Sequence, residues 1–589
     1  MPNFDIFYKP ISAPTIGENG YRGFLSFTEI LPKGWKYANS SKPLPTDILV
    51  EHDVEVRVRD GCKLYADVYR PVNSSRDNPV PAILSWSPFG KKFNGMHFLQ
   101  SMTPYNVGIK DTDLSGLEKF EGPDPATFVP HGFAVVNIDP RGVGDSDGLI
   151  HIMGEQEGED GYDAIEYLAK LEWCNGRIGM AGNSHLAVVQ WFIAQLQPPS
   201  LKAIAPWEAC SDLFREQFVR GGVYSGAFYD HITSAMFRGR QGMEDFGEMY
   251  RRDPLANPYW NSKRPDITKI QVPTYLTASF NSFLHTMGSI RGYMDIQHAQ
   301  KWIRFSPFQE WHDQWAVDAC QKDLISFFTR YLHNVHNGWE EQTPRVRMSI
   351  LRFGQMDAIS NVPEDDFPLP RTVYKSFYLA KNSLLQHKVP DGDNFVTHIS
   401  KDPTSSSIFT LVFKQRTVLT GLPKAVLYMS CPGSDDMDVY VMLRKLDTSG
   451  KPMHCLNVPW SSIGPDSFEE IPEKKATDLL VYKGPVGILR ASHREVDNHR
   501  SLHENYPFHP HSTPQKLQPS EVVKLEIGIF ATSIEFEAGE ALQLQISGQL
   551  LQDASFDAIR DETRNHHNQG LHHVHFGTKY PSHIVLPFV

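Results

Sequence analysis

Apolar residues change their spacing several times along this chain of 589 residues, and the changes divide it. Residues 1–50 are rich in Pro and Gly and carry no periodic apolar pattern, so they read as an ordered N-terminal arm. From Val54 apolar and polar positions alternate, through Val54-Glu55-Val56-Arg57-Val58 and Leu64-Tyr65-Ala66-Asp67-Val68-Tyr69. With Asp60-Gly61 between the runs, this alternation predicts a hairpin. Unbroken apolar runs follow at 81–86 and 133–138, the pattern of strands buried on both faces of a parallel sheet. Tyr162, Ile165 and Leu168 then recur at helical spacing and predict a helix over 161–171. Further strands are expected at 177–181, 201–206, 272–278 and 302–305, with a helix from His185 onward. Such strand–helix alternation predicts a doubly wound α/β core, here 51–210 and 267–350.

Segment 211–266 interrupts the alternation with helical, aromatic-rich text: Phe214, Phe218, Tyr224, Phe228, Tyr229, Phe237, Phe246 and Tyr250. An apolar insertion between two sheet strands is expected to form a helical cap over the active-site face. Beyond about residue 350 helical periodicity fades, and short alternating strands recur at 373–379, 425–430, 438–443, 522–530 and 542–547. Gly, Pro and Asp turns separate them, so 351–589 reads as an antiparallel β-sandwich.

Charge and composition narrow the function. A formal net charge of −12 argues against nucleic acid or an anionic membrane surface as partner. The longest apolar stretch, around Leu186 to Leu196, holds Gln190 and Gln195 and is too short to span a bilayer. Met1-Pro2-Asn3-Phe4-Asp5 has neither a basic n-region nor an apolar h-region, so no secretory signal is expected. The 6 cysteines show no C-x-x-C spacing, which suits structural thiols in a reducing compartment and a cytoplasmic location. Homo-oligomerisation stays open, and nothing calls for a cofactor.

The strongest chemical signal is Gly179-Met180-Ala181-Gly182-Asn183-Ser184-His185-Leu186-Ala187. A strand meeting a helix at Gly-x-Ser lifts the serine oxygen to a helix N-terminus and leaves the His185 backbone N–H free for an oxyanion. Leu186 stands where the G-x-S-x-G pattern has its last glycine. Asp139-Pro140-Arg141-Gly142-Val143-Gly144-Asp145-Ser146-Asp147-Gly148 adds a glycine-rich loop after a neighbouring strand. It lacks the Gly-Lys-Ser/Thr ending of a nucleotide loop, so its expected role is to support the elbow.

With these motifs in this order, the chain resembles the CocE/NonD hydrolases, which include cocaine esterase, α-amino-acid ester hydrolases and Xaa-Pro dipeptidyl-peptidases. Gly161-Tyr162-Asp163, Leu171-Glu172-Trp173-Cys174-Asn175-Gly176-Arg177-Ile178-Gly179 and Lys202-Ala203-Ile204-Ala205-Pro206 carry the likeness through the core. Leu489-Arg490-Ala491-Ser492-His493-Arg494 and Phe536-Glu537-Ala538-Gly539-Glu540 carry it to the C-terminal part. The resemblance implies an α/β-hydrolase core with an inserted helical cap and a C-terminal jelly-roll.

It also implies a triad, with Ser184 as nucleophile and a histidine past the last core strand. His312, in Glu310-Trp311-His312-Asp313, holds that place and is the expected base. The acid should follow the strand at 272–278, but the text continues Asn281-Ser282-Phe283-Leu284-His285 without a carboxylate. Asn281 or Ser282 takes its place, or the acid has moved to Glu208 at the end of the preceding strand. An amide in the acid's place costs a serine protease about 10⁴ in kcat. In Trp86-Ser87-Pro88-Phe89-Gly90-Lys91, relatives carry a tyrosine at Phe89 whose hydroxyl serves the oxyanion hole. Phenylalanine has no donor. The His185 N–H therefore remains as the oxyanion-hole group, with Trp86, Trp207 and His285 expected around the substrate.

Two further clusters read as structural. His566, His567, His572, His573 and His575 lack a completing carboxylate or cysteine, so no metal is expected there. Asp435-Asp436-Met437-Asp438 reads as a turn before a strand rather than a Ca²⁺ loop. The leading expectation is hydrolysis or acyl transfer through acyl-Ser184 on an ester, lactone or amide with an apolar acyl group. The alternative is a scaffold redirected to cyclisation, rearrangement or C–C bond formation on a polyketide-like molecule. A silent binding protein is the third.

Overall fold

In the computed structural model, residues 4–563 and 568–589 are described. Residues 1–3, where no secretory signal is expected from the sequence, and His566 and His567 of the histidine run lie outside them. Eleven strands of the described residues build the core sheet. These are β1 (Phe27–Leu31), β2 (Ile48–Arg57), β3 (Lys63–Pro71), β4 (Val80–Trp86), β5 (Ala134–Asp139) and β6 (Cys174–Asn183). β7 (Leu201–Trp207), β8 (Thr274–Ser279), β9 (Lys301–Ser306), β10 (Val346–Ile350) and β11 (Ile359–Glu364) complete it. Across the sheet the order is β11-β10-β9-β8-β7-β6-β4-β5-β3-β2-β1. From β5 to β10 neighbours run parallel, while β1, β2, β3 and β11 pair antiparallel at the two edges.

The apolar runs explain this layout. Every residue of β4 and β5 is buried, as strands covered by helices on both faces must be. The β2–β3 hairpin turns at Gly61, where φ is 86° and a side chain would be strained. Two boundaries shift from the sequence reading. The arm contributes β1, which pairs with β2, and the core continues past residue 350 because β11 pairs with β10.

Helices α1 (Glu155–Leu168) and α2 (His185–Ala194) follow β5 and lead from β6. α2 is buried along its whole length and so reads as apolar all round. The cap holds α3 (Ala227–Met236) and α4 (Phe246–Arg252), and Tyr8–Lys9 of the arm pairs with Met243–Glu244 within it. The glycine-rich loop tethers the cap, because Gly144 N–H donates to Arg238 O at 2.9 Å. α5 (Thr286–Asp295), α6 (Glu310–Ala316) and α7 (Asp318–Tyr331) follow β8 and β9.

Beyond β11 the chain forms the β-rich jelly-roll domain. Lys424–Ser430 pairs with Val523–Gly528 and His583–Phe588, and Asp438–Leu446 with Ala541–Ser547 and Val486–Arg490. The acidic Asp435–Asp438 text is consumed by ion pairs: Arg490 forks onto Asp438 at 2.6 and 2.9 Å, and Lys516 meets Asp436 at 3.1 Å. No helix of the described residues is long and apolar enough to cross a membrane.

Candidate active site

Ser184 sits between β6 and α2 with φ 52° and ψ −119°, a conformation that costs a non-glycine residue of order 1–3 kcal/mol. Two backbone hydrogen bonds hold the turn. Ser184 N–H donates to Glu208 O and Asn183 N–H to Glu121 O, each at 3.0 Å. Glu208 (φ 61°) and Glu121 (φ 68°) are themselves left-handed, so three strained non-glycine residues meet at the elbow. Gly182, at φ 148°, explains the missing last glycine of the motif. A Cβ there would lie 2.5 Å from the Leu186 Cβ, so only one of the two positions can carry a side chain.

One cavity joins the elbow to a histidine–carboxylate pair. Ser184, His185, Glu121, His285 and Glu310 all line it, under apolar walls that include Phe89, Phe120, Phe228, Ile232, Phe237 and Phe556. His285 Nδ1 lies 3.3 Å from Glu310 Oε1 and 3.4 Å from Ser282 Oγ. Behind this pair, the Glu208 carboxyl is fully buried and neither of its oxygens has a hydrogen-bond partner. Burial, then the charges of Glu310 and Asp313, raise it well above the usual carboxylate range. Glu208, His285 and Glu310 each offer an atom within 4.8 Å of the others, a donor set that could hold a divalent cation. The other such group among the described residues, His336, Glu340 and Glu341, lies at the surface.

Glu121 completes the site. Its carboxyl faces the Ser184 hydroxyl and the His185 backbone N–H, and Trp311 Nε1–H donates to its Oε1 at 3.3 Å. α6 fixes the loop, since Gln314 Nε2 donates to Glu121 O at 3.1 Å and Trp315 Nε1 to Gly122 O at 2.9 Å.

The expected residues divide. Ser184, the His185 N–H and Phe89 meet at the cavity; the Phe89 ring packs edge-on against Phe120 and Phe237, with no donor of its own. The His185 side chain turns to Glu157, with Nε2 at 3.2 Å from Oε1. Burial would raise the Glu157 carboxyl, but His185 and the Trp86 N–H hold it below its usual range.

His312 is not brought to Ser184. Its ring lies against Phe308 and Gly108, away from the cavity lining, with Nδ1 unpartnered and burial lowering its pKa. α6 begins in its place with Glu310, and residues two apart on a helix point roughly 200° apart. Only one of Glu310 and His312 can face the serine. Trp86 and Trp207 also fall outside the lining: Trp86 Nε1 donates to Glu157 at 3.0 Å, and Trp207 packs edge-on against Tyr275. His285, expected as a substrate contact, is instead the imidazole paired to a carboxylate. Asn281 lines the cavity but spends its amide on Pro307 O at 2.6 Å, and Ser282 contacts His285. Asp313 pairs with Arg304.

Sequence reasoning missed Glu310 and Glu121. Glu310 stands two residues before His312, and the start of α6 at Glu310 turns it, rather than His312, toward the cavity. Glu121 sits in Phe120-Glu121-Gly122-Pro123-Asp124, a turn with no motif to single it out.

Known proteins agree with this architecture. The family model of the X-Pro dipeptidyl-peptidase (S15 family) matches residues 60–241, and that of the X-Pro dipeptidyl-peptidase C-terminal non-catalytic domain matches 337–585. The cocaine esterase of Rhodococcus sp. (strain MB1 Bresler) is 23% identical, over 92% of this chain and 98% of its own. A solved CocE/NonD family hydrolase of Staphylococcus aureus is 30% identical, with a TM-score of 0.82 over 92% of this chain and 94% of that one. An α-amino acid ester hydrolase shares the fold at 16% identity, with a TM-score of 0.66 over 95% of this chain and 98% of that one. Fold and elbow thus define an α/β-hydrolase of the serine-hydrolase class with a β-rich C-terminal domain. Within that class, the chain belongs to the CocE/NonD family of hydrolases.

Proposed function

We propose that this chain hydrolyses an ester, lactone or amide, or transfers its acyl group, through acyl-Ser184, with His285 as base and Glu310 as its acidic partner. The observation that carries this reading is the 3.3 Å contact of His285 Nδ1 with Glu310 Oε1 in the cavity that Ser184 lines. Nδ1–H donating to a carboxylate fixes the tautomer and leaves Nε2 as the proton acceptor. His285 takes the Ser184 proton as Oγ attacks the acyl carbon, and Glu310 stabilises the imidazolium. The oxygen of the tetrahedral intermediate faces the His185 N–H. Collapse expels the alcohol or amine, which receives the proton from His285, and water or another nucleophile then repeats the cycle on the acyl-enzyme. The aromatic walls suit an apolar acyl group.

A fluorophosphonate probe and a chromogenic ester test the assignment. Labelling should vanish in Ser184→Ala. Esterase kcat should fall by about 10³–10⁴ in His285→Gln and Glu310→Gln, while His312→Gln stays within about tenfold of the parent. A loss confined to His312→Gln would return the base to that residue. Turnover that survives intact in Ser184→Ala, without labelling of the parent, would overturn the acyl-enzyme and favour chemistry without a serine nucleophile.

A further inference from the structure

Ester hydrolysis at Ser184 needs a second oxyanion donor, and Phe89 cannot be it. The carbonyl oxygen of a substrate attacked by Ser184 must come beside the His185 N–H, and the carboxyl of Glu121 faces both that N–H and the Ser184 hydroxyl. Its two oxygens are not equivalent. Oε1 accepts from Trp311 Nε1–H, a group that can only donate. Oε2 is buried without a hydrogen-bond partner of its own, with the Ser184 hydroxyl and the His185 N–H close to the carboxyl. If the carboxyl is neutral, its proton therefore belongs on Oε2, the oxygen left free to donate.

The surroundings keep it neutral. Glu121 is about 2% exposed, and burial followed by the nearby Glu310 charge pushes its pKa well above the usual carboxylate range. The Trp311 N–H that donates to Oε1, and the nearby Ser184 hydroxyl and His185 N–H, oppose this rise without cancelling it. A carboxylic acid kept protonated in an apolar site can donate a strong hydrogen bond to developing negative charge. The backbone aims it there: Glu121 holds a left-handed φ of 68°, its carbonyl is tied to Asn183 N–H, and α6 clamps the turn from the other side.

We propose that Glu121 is an oxyanion-hole residue, whose Oε2–H donates to the tetrahedral oxyanion beside the His185 N–H. It thereby takes the part that the family resemblance gives to a tyrosine at position 89. The proton stays on Glu121 throughout; the hydrogen bond shortens as charge develops on the substrate oxygen and relaxes on collapse. An ionised Glu121 would instead place a negative charge against that oxygen. Activity is therefore present below the Glu121 pKa and lost as pH rises through it. This assignment rests on the acyl-Ser184 reading.

The test uses the full chain, p-nitrophenyl butyrate as substrate and the fluorophosphonate probe. Glu121→Leu should lower kcat by about 10²–10³ with little change in KM. Glu121→Gln keeps an N–H donor that does not titrate, so it should stay within about tenfold of the parent and lose the alkaline fall in activity. Phe89→Tyr in the Glu121→Leu background should regain at least about tenfold, which separates a missing donor from a misfolded variant. Full kcat and an unchanged alkaline limb in Glu121→Leu would overturn the proposal. So would a Glu121→Gln variant that keeps the alkaline fall. The underlying reading fails separately: a parent that the probe does not label refutes acyl-Ser184. A labelled parent with Glu121→Leu labelled at the same rate refutes only the role of Glu121.

Discussion

His285 and Glu310 occupy two neighbouring loops in the reverse of the order that the family resemblance implies, histidine after β8 and carboxylate after β9. If place in space rather than place in the chain carries the role, the pair should tolerate exchange. His285→Glu alone adds a carboxylate beside Glu310 and the buried Glu208, and Glu310→His alone sets two imidazoles face to face. Each single variant should lose about 10³ or more in kcat. The double variant restores one of each, and should recover at least about tenfold over the weaker single. Equal activity in the double and the weaker single would show that the loops are not interchangeable. The reversal also explains what the sequence hid. Ser184 was legible because its turn needs a strand, a small residue and a helix in immediate succession. Which residue of Glu310-Trp311-His312 faces the cavity depended on where the helical turn begins, and α6 is set by its packing against the Glu121 loop.

At the scale of elements, the elbow is a junction under strain held from two sides. The β6–α2 turn donates hydrogen bonds to its neighbours at Glu121 O and Glu208 O, so the ends of three segments fix the serine together. Close approach of Gly182 to Leu186 leaves room for one side chain. Gly182→Ala should therefore cost about 1–3 kcal/mol by overpacking, and more where the turn gives way. Adding Leu186→Gly should return part of the melting temperature and of fluorophosphonate labelling, although that change also removes a buried leucine. If Gly182→Ala melts like the parent, the turn has a slack that the 2.5 Å approach denies. Strands and helices of the core were readable because burial on two faces leaves long apolar runs. The strained residues were not, since Glu121 and Glu208 owe their left-handed backbone to contacts from distant segments.

The whole molecule closes the cavity from three directions. The core supplies Ser184 and its partners, the cap supplies Phe228, Ile232 and Phe237, and the jelly-roll supplies Asn457, Asp478, Leu479, Ser555 and Phe556. Phe228 and Phe556 stack across the cap and the C-terminal domain with ring centroids 5.6 Å apart. At this end Asp478 is pushed up to about 7 by burial, so it changes charge near neutral pH within the cavity wall. Domain order was legible from the change of periodicity after about residue 350, although the core sheet keeps one more strand, β11. The shared wall was not, because residues 228 and 556 are remote in sequence and meet only when both units are folded. An occupant of the cavity therefore acts as a strut between the three parts of the chain that wall it, added to the apolar cluster that already joins core and jelly-roll. A ligand at one hundred times its dissociation constant stabilises the folded state that binds it by about 2.7 kcal/mol, and is lost when any unit it touches unfolds. Covalent occupation of Ser184 by a bulky aryl phosphonate should accordingly draw the unfolding of core and jelly-roll into a single calorimetric transition. With Phe556→Ala that merging should weaken. A probe that raised the melting of the core alone would confine the strut to one domain.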